Sequence, residues 1–215
     1  MAHIVHTFKT TFAGEELVVE TGRTSELTNG SCWVKYGETI VMANVTAAAK
    51  PREGIDFFPL NIDYEEKMYS VGKIPGSFLK RESRPTEHAT LTARMIDRPL
   101  RPMFPKDMRN DVSIVTTVLS CDIDHAPEIL AFLAASIAVA ISDIPISGTV
   151  AAVSVGLVDG QLVLNPHRAA REKSDLNLTV AGTAEKIVMI EAGANEVPND
   201  KMLEAIALGH EEIKH

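Results

Sequence analysis

Apolar and polar residues alternate with a period of two from Glu16 to Glu20 and again from Ser31 to Tyr36, the spacing of strands with one buried face. A Gly37-Glu38 turn leads into Thr39 to Thr46, which predicts a hairpin of β-branched residues. Another strand is predicted across Phe58 to Tyr64, so the first sixty residues read as a twisted antiparallel sheet. Periodicity stops between Val71 and Pro85, where Gly72, Pro75, Gly76 and Pro85 dictate a loop. Thr86 as N-cap, Glu87 in the first turn and helix formers through Ile96 then predict a helix, which Pro99, Pro102 and Pro105 end.

Asp111 to Leu119 is Val/Ile/Thr-rich and predicts a strand. The run from Ile129 to Ile141 is apolar except for Ser136, too short for the roughly 20 residues of a membrane span. It predicts a central buried helix that starts around Asp124 and Pro127 and ends near Ser142. After a break at Asp143-Ile144-Pro145 and Gly148, Val150 to Val158 and Gln161 to Leu164 flank Asp159-Gly160 as a second hairpin. Leu176 to Val180 and Ile187 to Glu191 add strands. An amphipathic helix from Asn199 to Lys214 follows, with Leu203, Ile206, Ala207 and His210 at helical spacing. This order predicts an α+β fold with two unequal lobes, residues 1–144 and 145–215.

The chain has 215 residues, 45% hydrophobic and 23% charged, which suits one large domain or two small ones and excludes global disorder. Cys32 and Cys121 stand alone, arguing against a disulfide framework or a thiolate zinc site and for a reduced, cytoplasmic chain. The N-terminus lacks the apolar core of a signal peptide, so no membrane association is expected. A net charge of −8 speaks against a nucleic-acid partner when taken in bulk. Its distribution reverses that inference, because Lys73 to Arg109 holds nine basic and four acidic residues, giving +5 there and −13 elsewhere.

Within that segment Lys80, Arg81 and Arg84 form a loop cluster, and Arg94 and Arg98 share a helix face. Arg101 extends the face only if the helix outlasts Pro99. Phe78 and Leu79 precede Lys80-Arg81 in a loop with no periodicity to bury them. An aromatic ring beside basic side chains suits single-stranded RNA, whose bases stack while its phosphates pair with guanidinium forks. The same run also fits a solvated surface, with Phe78 plugging the loop onto the core and Arg98 and Arg101 paired to Asp97 or Asp63. Gly72-Lys73 lacks the spacing of a phosphate-binding P-loop, and no Gly-x-Gly-x-x-Gly or Gly-x-Ser-x-Gly is present. The seven histidines form no His-x-x-x-His pair, and none is assigned a role.

Three longer stretches are more specific: Asp-Phe-Phe-Pro-Leu at 56–60, Gly-Lys-Ile-Pro-Gly-Ser-Phe-Leu-Lys-Arg-Glu-Ser-Arg-Pro at 72–85, and Ala-Arg-Met-Ile-Asp-Arg-Pro-Leu-Arg-Pro-Met-Phe-Pro at 93–105. They closely resemble the bacterial polynucleotide phosphorylase family, and the likeness extends through Asp175 to Thr183 and Leu208 to Glu211. The resemblance is to the first of that family's two ribonuclease PH-like cores. It implies a βαβα lobe with a smaller αβ lobe, a ring-shaped homotrimer, and 3′-to-5′ phosphorolysis of single-stranded RNA to nucleoside diphosphates, with links to RNA-degradation machinery. It implies inorganic phosphate as co-substrate, Mg²⁺ held in the second core, and RNA contacts from Phe78, Leu79, Lys80, Arg81, Arg84, Arg94, Arg98 and Arg101.

The family's usual Phe-Phe-Arg-Arg is Phe78-Leu79-Lys80-Arg81 here, so one stacking ring is missing and one fork is a point charge. The matching metal strand is Asp175-Leu176-Asn177-Leu178-Thr179, with Asn177 in place of one acid and Arg171 where the other would stand. A neutral amide and a cation cannot hold Mg²⁺, so the resemblance implies a non-catalytic half. An autonomous nuclease like single-core ribonuclease PH would need both carboxylates. A protein partner or a small anionic nucleotide on the basic segment is the remaining alternative.

Overall fold

The computed structural model describes residues 4–76, 82 and 84–215. The Phe78-Leu79-Lys80-Arg81 segment predicted to grip RNA lies outside the described residues. Strands β1 (His6–Phe12), β2 (Glu15–Thr21), β3 (Gly30–Tyr36), β4 (Thr39–Ala47), β5 (Leu60–Glu66) and β6 (Val112–Ser120) form one sheet in the order β1-β2-β3-β4-β6-β5. The expected hairpin is β3 and β4, with Val34 opposite Val41. The expectation of a purely antiparallel sheet fails at the far edge, where β5 runs parallel to β6 with Ile62 opposite Ile114. A parallel pair needs a crossover, and the crossover contains the arginine-bearing helix α1 (Glu87–Leu100). Strand β1 carried no alternation because it is exposed on both faces up to Phe12.

Thr86 caps α1 as expected, its hydroxyl oxygen accepting the Ala89 N–H at 3.0 Å. The helix does not stop before Pro99, however; it continues to Leu100, and Arg101 keeps helical angles of φ −51°, ψ −45°. Proline removes one donor from the last turn. The Arg101 N–H still bonds the Asp97 carbonyl, and its guanidinium grips the Asp97 carboxylate at 3.0 and 2.7 Å, which holds the turn closed.

Helix α2 (Pro127–Ala140) is the predicted central helix. One side lies on β3, β4 and β6 and another meets β7 of the second sheet. Ala131, Ala134, Ala135 and Ala138 are fully buried, and their small side chains bring the helix close to the strands. The Cys32 thiol reaches the Ala134 carbonyl at 3.3 Å. Ser136 interrupts the apolar run because its hydroxyl accepts the buried Val150 N–H at 3.1 Å.

The second sheet runs β10 (Ile187–Ala194), β9 (Leu176–Gly182), β7 (Ala151–Val158), β8 (Gln161–Leu164), all antiparallel. The short helix α3 (Arg168–Arg171) precedes β9, and α4 (Asn199–Lys214) covers β7 and β9. The bounds of α4 are those predicted, but its inner face is rotated. Ala205 and Gly209 are buried while Leu203 is 67% exposed. A Cβ at Gly209 would stand 3.0 Å from Val180, so small residues set the contact and Leu203 is left outside. Among the described residues no helix is long and apolar enough to cross a membrane.

A Cβ on Gly30 would overlap the Ala138 carbonyl oxygen. Gly30→Ala should therefore destabilise the chain by about 1–3 kcal/mol, read as a lower urea midpoint. Gly148→Ala, where a Cβ meets open space, should stay within about 0.5 kcal/mol of the parent.

Candidate functional site

Helix α1 presents the predicted basic residues unequally. Arg84, in the approach to the helix, and Arg94 are exposed, and Arg94 makes no ion pair among the described residues. Arg98 forms an exposed ion pair with Glu191 of β10, joining α1 to the second sheet. Arg101 is committed inward: beyond Asp97 it donates to the carbonyls of Phe58 and Leu60, both at 3.2 Å, and stacks 5.9 Å from the Phe58 ring centre. Those bonds seat the start of β5 on the end of α1. Arg101 thus acts as a brace, and Arg84 and Arg94 carry charge toward solvent.

Between α1, the start of α2 and the second sheet lies a cleft of about 770 Å³. Its floor includes Asn177 and Thr179, outward-facing on β9 between buried Leu176, Leu178 and Val180. Arg171 lines it too, with its guanidinium donating to the carbonyls of Asp124 at 3.1 Å and Ile123 at 3.2 Å. Asp175 is exposed and does not line the cleft. Three of the cleft's four carboxylates already have partners: Glu191 with Arg98, Glu128 with His88, and Asp122 with the loop below it. An amide, a hydroxyl and a guanidinium do not make a Mg²⁺ site. The residues at the position where the resemblance leads one to expect a metal therefore do not fit that ion.

Sequence reading missed a second cluster at the mouth of this cleft. Gly37, with φ +59°, opens the two-residue turn between β3 and β4. A Cβ there would overlap the His125 ring. Asp122 accepts the N–H groups of Glu38 (2.8 Å), Asp124 (2.8 Å) and His125 (2.7 Å), and its oxygens lie 2.7 and 2.9 Å from His125 Nδ1. Partial burial pushes the Asp122 carboxyl up, but the N–H donors and the imidazole outweigh it and hold the group down at about 2. Burial likewise works against the charge on His125 and is outweighed by Asp122 and Glu15, leaving its pKa raised. Glu15 is lowered: burial opposes the shift, and His125 and His167 prevail. No sequence spacing signals this group, whose members lie on β2, before α2 and before α3.

Two family models match the chain, 3′ exoribonuclease family domain 1 over residues 14–145 and domain 2 over residues 148–212. Over 207 residues the chain is 59% identical to a polyribonucleotide nucleotidyltransferase of Clostridioides difficile (strain 630), covering 96% of this chain and 29% of that protein. It is 60% identical over 208 residues to the corresponding protein of Alkaliphilus oremlandii (strain OhILAs), covering 97% of this chain and 30% of the relative. The chain thus spans about three-tenths of the length of these relatives. Two solved structures share the fold. Rice (Oryza sativa) Rrp46 aligns with TM-score 0.70 and 14% identity, over 99% of this chain and 90% of that one. The Archaeoglobus fulgidus exosome with RNA bound to the active site aligns with TM-score 0.71 and 16% identity, over 99% and 86%. With both domain models matched in order, and 59–60% identity to polyribonucleotide nucleotidyltransferases along almost the whole chain, this chain belongs to the 3′ exoribonuclease family.

Proposed function

We propose that the chain is the RNA-holding, non-catalytic core of a phosphorolytic 3′-to-5′ exoribonuclease, organised as lobes 1–144 and 145–215. The observation that carries this reading is the 59–60% identity to polyribonucleotide nucleotidyltransferases along almost the whole chain. Single-stranded RNA is the macromolecular partner, gripped by Phe78, Leu79, Lys80 and Arg81 and steered by the solvent-facing Arg84 and Arg94. Arg98 contributes only where RNA phosphate displaces Glu191, and Arg101 positions the helix that carries the others. Inorganic phosphate is the co-substrate of the whole enzyme, which works in the cytoplasm as a homotrimer within RNA-degradation machinery. Mg²⁺ is held by residues outside this chain, since Arg171 and Asn177 stand where carboxylates would be needed.

The reading is tested by incubating the purified chain with oligo-A, phosphate and Mg²⁺. No ADP should be released. Release that persists after removal of contaminating nuclease would favour an autonomous single-core ribonuclease instead.

Lys80→Ala with Arg81→Ala should weaken oligo-A binding and flatten its salt dependence by up to about 1.4 units of log–log slope, since each phosphate contact on a single strand contributes about 0.7. Unchanged titrations would remove this loop from the RNA path. Arg94→Ala should lower RNA affinity without moving the unfolding midpoint. Arg101→Ala should do the reverse, lowering the midpoint through the lost brace between α1 and β5.

A further inference from the structure

Glu15, His125 and His167 come from three distant parts of the chain and meet at one point. His125 Nε2 lies 2.9 Å from Glu15 Oε2, and His167 Nε2 lies 2.7 Å from Glu15 Oε1. The donor count at Asp122 makes this arrangement informative. That carboxylate already takes three backbone N–H groups, and as an anion it has only acceptors to offer. His125 Nδ1 beside it must therefore carry a proton. A neutral imidazole protonated at Nδ1 turns a lone pair outward at Nε2, and here that lone pair faces a carboxylate oxygen. Two acceptors at 2.9 Å repel unless a cation, either a second proton or a metal ion, stands between them.

The surroundings favour a metal. The ligand atoms of Glu15, His125 and His167 all lie within 4.8 Å of one another, within reach of one ion with bonds of about 2.0–2.2 Å. Asp122 on Nδ1 is the carboxylate–histidine arrangement that orients a ligating imidazole and raises its basicity. The His125 ring cannot swing away: Gly37 leaves no room for so much as a Cβ, and the Tyr36 ring stands edge-on at 4.9 Å. Its side chain is 12% exposed, whereas Glu15 and His167 are 38% and 49% exposed, so an ion has a route in and a fourth position open to water. Two imidazoles and one carboxylate suit Zn²⁺, while Mg²⁺ and Ca²⁺ select oxygen donors.

A second group, Glu66, His88 and Glu128, is the poorer site. It offers one imidazole with looser contacts of 3.4 and 3.1 Å, and Glu66 already accepts the Tyr64 hydroxyl at 2.8 Å.

We propose that Glu15, His125 and His167 bind one Zn²⁺ ion, with Asp122 as the positioning carboxylate, and that the ion clamps the segment before α3 onto the first sheet. The site lies at the mouth of the cleft, where His125 and Asp122 line it, and uses none of the residues proposed to hold RNA.

The test is titration of chelator-treated chain with Co²⁺ followed by Zn²⁺. One equivalent of Co²⁺ should bind with the visible bands of a tetrahedral site, Zn²⁺ should displace it, and Zn²⁺ should raise the thermal unfolding midpoint. Asp122→Asn should weaken binding by about 10–100-fold, and His167→Ala or Glu15→Gln should abolish it at stoichiometric metal. His88→Ala and Cys121→Ser should leave it unchanged. His167 is half exposed, so its variant keeps the question answerable if His125→Ala fails to fold. Absence of saturable uptake, or uptake that His167→Ala leaves intact, would overturn the proposal and leave a proton as the occupant of the gap.

Discussion

Everything else in the molecule is placed by the close approach of α2 to the first sheet. Four buried alanines and Gly30 let the helix axis come near enough for the Cys32 thiol to touch the Ala134 carbonyl. Close packing of this kind tolerates little change in volume. Because α2 is buried on nearly all sides, it serves two sheets at once, and Ser136 is the polar exception that ties it to the first residues of the second lobe. The loop before α2 inherits that rigidity. Its Asp122, Asp124 and His125 stand at the cleft mouth because the helix behind them cannot shift.

The arginines of α1 divide between holding the protein together and offering charge to a ligand. A guanidinium engaged in the fold has fewer donors left for phosphate: Arg101 makes four bonds to Asp97, Phe58 and Leu60, and Arg171 makes two to backbone carbonyls. One with none engaged among the described residues, as in Arg94, has its whole fork available. Arg98 is intermediate, since an exposed ion pair contributes on the order of 0–1 kcal/mol and phosphate can compete for it. The +5 charge of the basic segment is thus an upper bound on the field that RNA would meet.

Strand and helix positions were legible wherever one face is buried, as in β3, β4, β6 and α4, because burial imposes a period. Strand β1 was not, since an element exposed on both sides carries no such record. The parallel edge at β5 escaped because chain direction leaves no mark on alternation. The inner face of α4 was misjudged because a helix packed through Ala205 and Gly209 reports its contact by small size and not by apolarity. The concentration of basic charge between Lys73 and Arg109 was readable along the chain. Which arginines remain available was not, because that depends on carbonyls of Phe58 and Leu60 some forty residues away. The Glu15–His125–His167 group was invisible for the same reason, with 110 and 152 residues separating its bonded pairs.

Arg171 serves both the cleft and the loop before α2. At the position where the resemblance calls for a carboxylate, it places a positive charge on the cleft wall and makes a divalent cation there unfavourable. The same side chain donates to the carbonyls of Ile123 and Asp124, so it pins the loop that presents Asp122 and His125. A carboxylate could not do this, because it has no proton to give to a carbonyl. Substituting an acid there would trade one cation-repelling wall for a loop whose two carbonyls lose their donors, and the imidazole of His125 would lose its fixed bearing. The side chain that puts positive charge on the cleft wall is therefore also what ties α3, just before β9 of the second sheet, to the loop before α2.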